Sequence, residues 1–228
     1  MTLDLRTALC QTPLLDGVPS DLLDRLIDQG TVRQVRAGEQ LFAASDMSNT
    51  VFFILAGSLR IYSRDETSPV PLADLGAGDV VGELAAIDGG GRTGSATALQ
   101  ESAVLVCPPD AFIALLSQGP QVALRLLRRF SRIIRDADSR IAALSNLAPG
   151  QRVYFALLHL AAPDPSGSGQ WTINPAPSHK EVAGWAGTTE EVVATALGSL
   201  MRSGLIRRRS LELQIFDRQR LEDLIRQR

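Results

Sequence analysis

The chain has 228 residues, 45% of them hydrophobic, and its 23 basic and 25 acidic side chains give a formal charge of −2. This length allows one large domain or two ordinary ones that each bury a core, and two is the better expectation. No apolar run approaches the roughly 20 residues of a membrane span, and the first residues lack a secretory signal, so we expect a cytoplasmic protein outside the membrane.

The first half of the chain passes from one helix to a series of short strands. Residues 21–29 have the apolar spacing of an amphipathic helix, with Ser20 as its expected cap. From residue 31 onward, runs rich in Val, Ile, Leu, Phe and Thr alternate with turn signals, most of them containing glycine. These runs are residues 31–36, 50–56, 58–63, 70–75, 92–99 and 102–107. Their spacing predicts an antiparallel barrel or jelly roll.

After Pro108 and Pro109 the helical period returns in a long segment with an apolar seam. The seam residues follow at spacings of three and four: Leu127, Phe130, Ile134, Ala137, Ile141 and Leu144. The opposite face carries Arg125, Arg128, Arg129, Arg132 and Arg135. Such a helix either packs on its own barrel or pairs with a second copy. The narrow seam with polar flanks favours the parallel homodimer.

The last third of the chain has the pattern of a helix-turn-helix followed by a hairpin. We place a hinge at Pro149 and Gly150, a helix over 151–160 and a loop over 162–170. Ser178 and Thr189 are expected to cap two short helices that are joined at Gly187, the arrangement of DNA-binding helix-turn-helix domains. Residues 205–209 and 211–216 would form a wing with Arg207, Arg208 and Arg209 at its tip for phosphate contacts. A small helical bundle with a solvated arginine run is the alternative.

The stretch GELAAIDGGGRT, residues 82–93, resembles the phosphate-binding cassette of the CRP–FNR family of bacterial transcription regulators. The resemblance extends from residue 13 to the wing. It implies an α+β protein with a jelly-roll sensor of the cyclic-nucleotide-binding type (1–117), a dimerisation helix (118–148) and a winged helix-turn-helix (149–228). It also implies a homodimer that binds double-stranded DNA, is not an enzyme, and has RNA polymerase as a further partner.

The cassette residues suit a cyclic phosphodiester. Gly82 and the start of a helix at Glu83, Leu84 and Ala85 can direct backbone N–H groups toward an anion, because the first turn of a helix lacks internal acceptors. Arg92 adds a positively charged fork for the phosphate. The Glu83 carboxylate could accept a hydrogen bond from the ribose 2′-hydroxyl. An internal ion pair between Glu83 and Arg92 is the alternative, and it is compatible with ligand binding.

The residues expected to contact the base differ from those of the cAMP-responsive members. The resemblance places Ala137 and Asp138 where those members carry two hydroxyl residues. An ionised Asp138 could accept from the adjacent N1–H and N2–H donors of guanine. Thr93 is similar to a threonine of cGMP-selective domains. Asp138 could instead pair with Arg132 or Arg135 on the helix surface, so cAMP and cGMP both remain open as the effector.

The expected recognition helix is acidic and lacks the family's base-reading arginine. The stretch from Thr189 to Thr195 contains Glu190 and Glu191, and Glu191 could accept from cytosine N4. Both carboxylates would repel phosphate. DNA contacts would then fall to Ser178, His179, Lys180, Arg202 and the wing arginines. This acidity leaves two alternatives open: a C-terminal domain that binds a protein partner, and a regulator that binds DNA without an effector.

Cysteine and histidine usage excludes several other classes of protein. Cys10 and Cys107 are far apart in sequence, which supports neither a disulfide framework nor a CxxC site. His159 and His179 have no second histidine at metal-ligand spacing, so we expect no metal, no resident cofactor and no catalytic residue. A cupin-type enzyme is set aside because the predicted barrel contains no histidine.

Overall fold

The computed structural model describes residues 4–65, 69–166, 169–209 and 211–226. It divides into two compact units, Met1–Ile133 and Ile134–Arg228. None of the helices in these residues combines the length and the apolar character that a bilayer crossing requires.

The first unit is built on two antiparallel four-stranded sheets, ordered β1-β8-β3-β6 and β2-β7-β4-β5. The strands are β1 (Thr31–Val35), β2 (Gln40–Phe42), β3 (Val51–Ala56), β4 (Ser58–Tyr62), β5 (Pro71–Gly76), β6 (Val80–Val81), β7 (Ser95–Ala98) and β8 (Ser102–Cys107). The helices around them are α1 (Leu5–Cys10), α2 (Ser20–Gln29), α3 (Glu83–Asp88), α4 (Pro109–Gln118) and the first part of α5 (Pro120–Asn146). A 3₁₀ turn lies at Pro13–Leu15. The predicted α+β class with an antiparallel β sensor is confirmed.

Strand β3 is apolar at successive positions because both of its faces are covered. Phe53 packs with helix residues such as Leu23 and Phe112 in one core cluster. Phe52 and Ile54 belong to a second cluster between the two sheets. Adjacent strand residues point to opposite faces, so a strand that is covered on both sides must be apolar throughout.

Two local predictions in the first unit were wrong, and one strand was missed. Helix α2 begins at Ser20 itself, and Pro19 occupies the cap position without a side-chain hydrogen bond. The run 92–99 is a strand only from Ser95, because Arg92 turns its side chain into the protein from the preceding loop. Strand β2 was not predicted at all, since three residues are too few to show a period.

Helix α5 presents three different faces. Val122 and Leu126 are buried in the cluster beneath it. Arg125 and Arg129 extend to Asp16 and Asp79 of the same unit, so part of the arginine face is engaged by the protein rather than by water. One row of the seam remains open to solvent: the exposed fraction of Leu127, Ile134 and Ile141 is 61%, 60% and 62%, whereas the seam residue Phe130 packs against the core cluster.

The second unit is a helix-turn-helix domain with a small antiparallel sheet of order β11-β12-β10-β9. Its elements are α6 (Pro149–Leu160), β9 (Ala162–Pro163), β10 (Trp171–Ile173), α7 (His179–Ala186), α8 (Glu190–Arg202), β11 (Ile206–Arg208), β12 (Leu213–Ile215) and α9 (Arg218–Arg226). A single apolar cluster joins α6, α7, α8 and the sheet. The predicted helix-turn-helix and the strand pair of the wing are confirmed.

Two predictions in this unit need correction. Pro149 and Gly150 form the first turn of α6 instead of preceding it, because proline is well suited to the first helical position. The predicted loop over 162–170 contains β9, which pairs with β10 at the edge of the sheet; residues 167–168 of that stretch lie outside the described residues. Proline is tolerated in such an edge strand.

Candidate functional site

The cassette between β6 and β7 has the backbone that its glycines predict. Gly82 caps α3 in the left-handed region, with φ of 87°. A Cβ at this position would lie 2.3 Å from Arg92 Nη1 and 2.7 Å from the Thr50 carbonyl oxygen. Gly89 ends α3, and both Gly89 and Gly91 have positive φ. Glycine is therefore required at Gly82 by close approach and by backbone conformation.

Arg92 lies almost fully inside the sensor unit, with 2% of its surface exposed. Its Nη1 donates to the Gly82 carbonyl at 3.2 Å, and its Nη2 donates to the Thr50 carbonyl at 2.7 Å and to Ser48 Oγ at 3.2 Å. The guanidinium carbon is 4.3 Å from the centre of the Phe42 ring. These contacts hold the cation beside α3, where the first amides of that helix begin.

The environment of Arg92 suits an anionic ligand. Burial lowers the pKa of the guanidinium, although Asp46 and Glu83 act in the opposite direction. The Nε atom is buried and has no hydrogen-bond partner among the described residues. A buried donor without an acceptor costs roughly 1–3 kcal/mol. A phosphate that accepted from this group would remove that cost.

Glu83, the first residue of α3, is also buried, with 6% of its surface exposed. Burial raises the pKa of its carboxyl group, and the positive charges of Arg129 and Arg92 counteract part of that effect. Among the described residues Glu83 forms no ion pair with Arg92, so the alternative of a closed internal pair is not found here. Within the described part of the chain, its carboxylate is influenced by the charges of Arg129 and Arg92 without a salt bridge to either.

The raised pKa of Glu83 predicts a pH-dependent stability. Because the pKa of Glu83 is higher in the folded than in the unfolded protein, the protonated carboxyl group contributes its full share to folding stability below the unfolded-state pKa near 4.5. This contribution is lost as the pH rises through the folded-state pKa. We expect Glu83→Gln to remove this loss, so that the ligand-free variant is more stable than the wild type at alkaline pH and similar to it in acid. Denaturant titrations at a series of pH values would measure the difference. An unchanged pH profile in the variant would contradict the prediction.

Sequence reasoning missed the contribution of α5 and of the 48–50 segment to this site. Arg129 donates to the Val80 carbonyl at 2.8 Å and lies 3.6 Å from Asp79, directly before the cassette. Ser48 and Thr50 provide two of the acceptors of Arg92. The spacing of Arg125 and Arg129 on one helix face was the only signal, since the other partners are remote in sequence.

The remaining predicted ligand residues are more exposed. Leu84 and Thr93 are exposed, while Ala85 lies on the buried side of α3. Asp138 belongs to the second unit and is exposed on α5. Among the described residues it forms no ion pair with Arg132 or Arg135, so that alternative for its carboxylate is not found.

The two helices of the helix-turn-helix are capped as expected. Ser178 Oγ accepts from the Glu181 amide at 3.2 Å, and Glu181 Oε2 accepts from the Ser178 amide at 2.6 Å. Thr189 accepts from the Val192 amide. Gly187 adopts φ of 57° at the turn, where a Cβ would be 2.7 Å from Leu144 Cδ2. His179 and Lys180 begin α7, with the lysine exposed.

The outward face of α8 is a stripe opposite its buried residues. Val193, Ala196, Leu197 and Leu200 form the buried face. Helical spacing therefore places Glu191, Thr195, Gly198 and Arg202 on the opposite side. The Arg202 side chain runs back along this stripe, because its Nη1 lies 3.3 Å from the position of a Cβ at Gly198. Glu190 is exposed in the first turn, and Glu191 has a lowered pKa because Thr189 donates a hydrogen bond to it.

The wing arginines do not all lie at its tip. Arg207 and Arg208 belong to β11, and successive strand residues point to opposite faces. The Arg207 guanidinium lies 5.2 Å from the centre of the Phe216 ring. Arg209 follows the strand, and its Nη1 is 3.7 Å from Glu212 Oε1. The three side chains are exposed, but Arg207 and Arg208 lie on the strand that leads to the tip instead of at the tip itself.

Each half of the chain matches the model of a known domain family. Residues 32–119 match the family model of the cyclic nucleotide-binding domain, and residues 151–224 match that of the Crp-like helix-turn-helix domain. The cyclic AMP receptor protein of Thermus thermophilus is 29% identical over 86% of this chain and 88% of that protein. The CRP-like cAMP-activated global transcriptional regulator of Mycobacterium tuberculosis is 26% identical over 93% of this chain and 96% of its own length.

The solved structure of a CooA mutant from Carboxydothermus hydrogenoformans has the same fold. It superposes with a TM-score of 0.74 at 18% identity and covers 92% of both chains. A sensor domain of the cyclic-nucleotide-binding type that precedes a helix-turn-helix defines a class of ligand-controlled DNA-binding proteins. This chain belongs to the CRP–FNR family of transcription regulators, whose members are not enzymes.

Proposed function

We propose that the chain is a homodimeric transcription regulator whose binding to double-stranded DNA is controlled by a cyclic nucleotide, cAMP or cGMP. The observation that carries the proposal is Arg92, a buried cation beside the first turn of α3 whose Nε has no hydrogen-bond partner within the described parts of the chain. In this site Arg92 and the amides of Glu83, Leu84 and Ala85 would hold the phosphate, and Glu83 would accept from the ribose 2′-hydroxyl. The relatives that are named for cAMP support a cyclic nucleotide as the effector.

The homodimer is supported by the exposed seam of α5. Leu127, Ile134 and Ile141 recur every seven residues and are each about three-fifths exposed. Apolar residues at this period pack against a partner helix in coiled coils. A two-fold axis along the helices would place two DNA-binding domains on half-sites about 34 Å apart. RNA polymerase is the proposed downstream partner.

Helix α5 also offers a route from the effector to the dimer. Arg129 is bound to Val80 and Asp79 and exerts a favourable field on Glu83. A nucleotide that contacts the cassette would therefore act on the same segment that positions α5. The resulting coupling can be only as large as the preference of the nucleotide for one arrangement over the other.

Two measurements test the proposed function. Calorimetry with cAMP, cGMP and a cyclic dinucleotide would identify the effector, and binding to random duplex DNA at several salt concentrations would test the DNA-binding domain. We expect heat with one cyclic nucleotide and an affinity that falls steeply with salt, since several phosphate contacts release counterions. Absence of heat with every nucleotide would contradict the sensor role.

The identity of the base is tested separately through Asp138. If this carboxylate accepts from guanine N1–H and N2–H, Asp138→Ala should lower cGMP affinity about tenfold or more and leave cAMP affinity nearly unchanged, because hydrogen bonds to charged groups are worth roughly 1.5–3 kcal/mol. Calorimetry of the wild type and of Asp138→Ala with each nucleotide measures these affinities. Equal losses for the two nucleotides would remove Asp138 from the specificity of the site.

The acidic start of α8 favours one alternative, a C-terminal domain that binds a protein partner. Glu190 and Glu191 are both exposed where the family reads DNA. In that case affinity for random duplex DNA would be weak and nearly independent of salt, whereas the proposed regulator requires a clear salt dependence. A DNA affinity that is strong without any nucleotide would instead indicate an effector-independent regulator.

A further inference from the structure

We propose that Thr195 reads the methyl group of a thymine in the major groove, at the position where the family pattern has an arginine. This inference rests on the proposed DNA binding and adds a base preference to it. The carrying observation is a hydrogen bond inside α8: Thr195 Oγ1 donates to the Glu191 carbonyl at 2.9 Å.

This hydrogen bond changes what the side chain can offer to a base. A threonine hydroxyl has one hydrogen, and here it is used by the helix. While this bond is formed, the hydroxyl does not donate to the acceptors of guanine or thymine. The side chain keeps its γ-methyl group, and Thr195 is exposed. Apolar contact with the C5-methyl group of thymine is the interaction that this group can make in the major groove.

The surroundings of Thr195 also favour an apolar contact. Ala194 is exposed beside it and adds a second methyl group, while Gly198, one turn further on, adds no side chain. Thr195 borders an open groove formed with Gly150 and Tyr154 of α6. The cation nearest along the stripe is Arg202, which lies over Gly198. The middle of the stripe thus presents carbon atoms between the Glu191 carboxylate and the Arg202 guanidinium.

The helix geometry sets the distance between the two base readers. Glu191 and Thr195 are four residues apart, which corresponds to about 6 Å along the axis. Base pairs are stacked about 3.4 Å apart. We therefore expect the thymine to lie within two base pairs of the G·C pair that depends on Glu191. The half-site would combine a cytosine contacted by a carboxylate with a thymine contacted by methyl groups.

The test uses the full-length protein and duplexes that it selects from a random library, with the nucleotide effector if one is required. Each thymine of the selected half-site is replaced in turn by deoxyuridine, which lacks only the methyl group. At one thymine we expect this replacement to lower the DNA affinity about fourfold, which corresponds to the burial of one methyl group, about 0.8 kcal/mol. Glu191→Ala identifies the neighbouring G·C pair by relaxing the preference there.

Two substitutions at the same position separate the methyl group from the hydroxyl. Thr195→Ser keeps the hydroxyl and should abolish the discrimination between thymine and deoxyuridine. Thr195→Val keeps the methyl group and should preserve the discrimination between thymine and deoxyuridine. Ser199→Ala is the matched control, since Ser199 is an exposed residue one turn beyond Thr195 that lines the same groove and carries a hydroxyl but no methyl group. It should leave the discrimination unchanged.

The outcomes distinguish this inference from the proposed function. If the protein binds duplexes with the expected salt dependence and no thymine is sensitive to deoxyuridine, the reading of the methyl group is wrong and DNA binding stands. The same conclusion follows if Thr195→Ser discriminates as the wild type does. If no duplex is bound at any salt concentration, the proposed function fails and this inference fails with it.

Discussion

Replacing Arg92 by glutamine is expected to reduce cyclic-nucleotide affinity at least thirtyfold. The guanidinium is buried beside α3, and loss of one partner from a buried charge pair costs about 2–5 kcal/mol. Glutamine can restore part of the hydrogen bonding to Gly82 and Thr50 but not the positive charge. Titration calorimetry of both proteins with the effector measures the loss. An affinity within threefold of the wild type would contradict the assignment of Arg92.

A second buried arginine provides the matched control for this experiment. Arg60 is 4% exposed, and its Nε and Nη2 donate to Asp74 at 2.6 and 2.7 Å. Both substitutions remove a buried guanidinium and the hydrogen bonds that it donates, and each such bond contributes about 0.5–3 kcal/mol to folding stability. We expect Arg60→Gln to lower the unfolding midpoint as Arg92→Gln does, while nucleotide affinity is retained. Equal affinity losses in the two variants would indicate a general loss of structure.

Aspartate at the centre of the α5 seam is expected to convert the dimer into a monomer. Ile141→Asp would place a carboxylate in the dry interface of a coiled coil, where an unpaired charge costs several kcal/mol. The exposure of this side chain in the single chain means that folding of the monomer should be little affected. Light scattering on the eluted protein would give the mass. DNA affinity should fall by about a hundredfold or more, because one half-site is then lost.

The control for this substitution lies on the same helix but off the seam. Ser139 is exposed two residues before Ile141, on the side away from the seam by the heptad spacing. Ser139→Asp adds the same charge to the same helix and is expected to leave the mass and the DNA affinity unchanged. If the wild type itself elutes as a monomer, or if Ile141→Asp remains a dimer, α5 is not the dimerisation helix.

Local chemistry explains why the helix-turn-helix could be predicted residue by residue. Ser178, Gly187 and Thr189 were expected at a cap, a turn and a cap, and each occupies that position. Capping depends on backbone groups within three residues, so the sequence contains all of the partners. The predicted cap at Ser20 was wrong by one residue, since Pro19 occupies the cap position and Ser20 begins the helix. Which of two adjacent residues is the cap depends on their backbone conformations.

Short strands show the limit of this local chemistry. Strands β2 and β10 contain three residues each, and they exist because β7 and β12 offer hydrogen-bonding edges to them. Those edges come from residues tens of positions away. The two residues of β9 pair in turn with β10. A period of two cannot be recognised in a segment of this length.

The sequence by itself determined the order of the domains, the glycines of the cassette, the arginine that follows them and the seam of the long helix. Each of these depends on residue type and on spacing within one segment. Only the tertiary structure decided that Arg92 is held by Ser48 and Thr50, that Arg129 reaches the cassette from α5, and that Glu83 is buried. Burial and long-range contacts arise when segments pack together, and side-chain pairs across such packing leave no periodic signal in either segment.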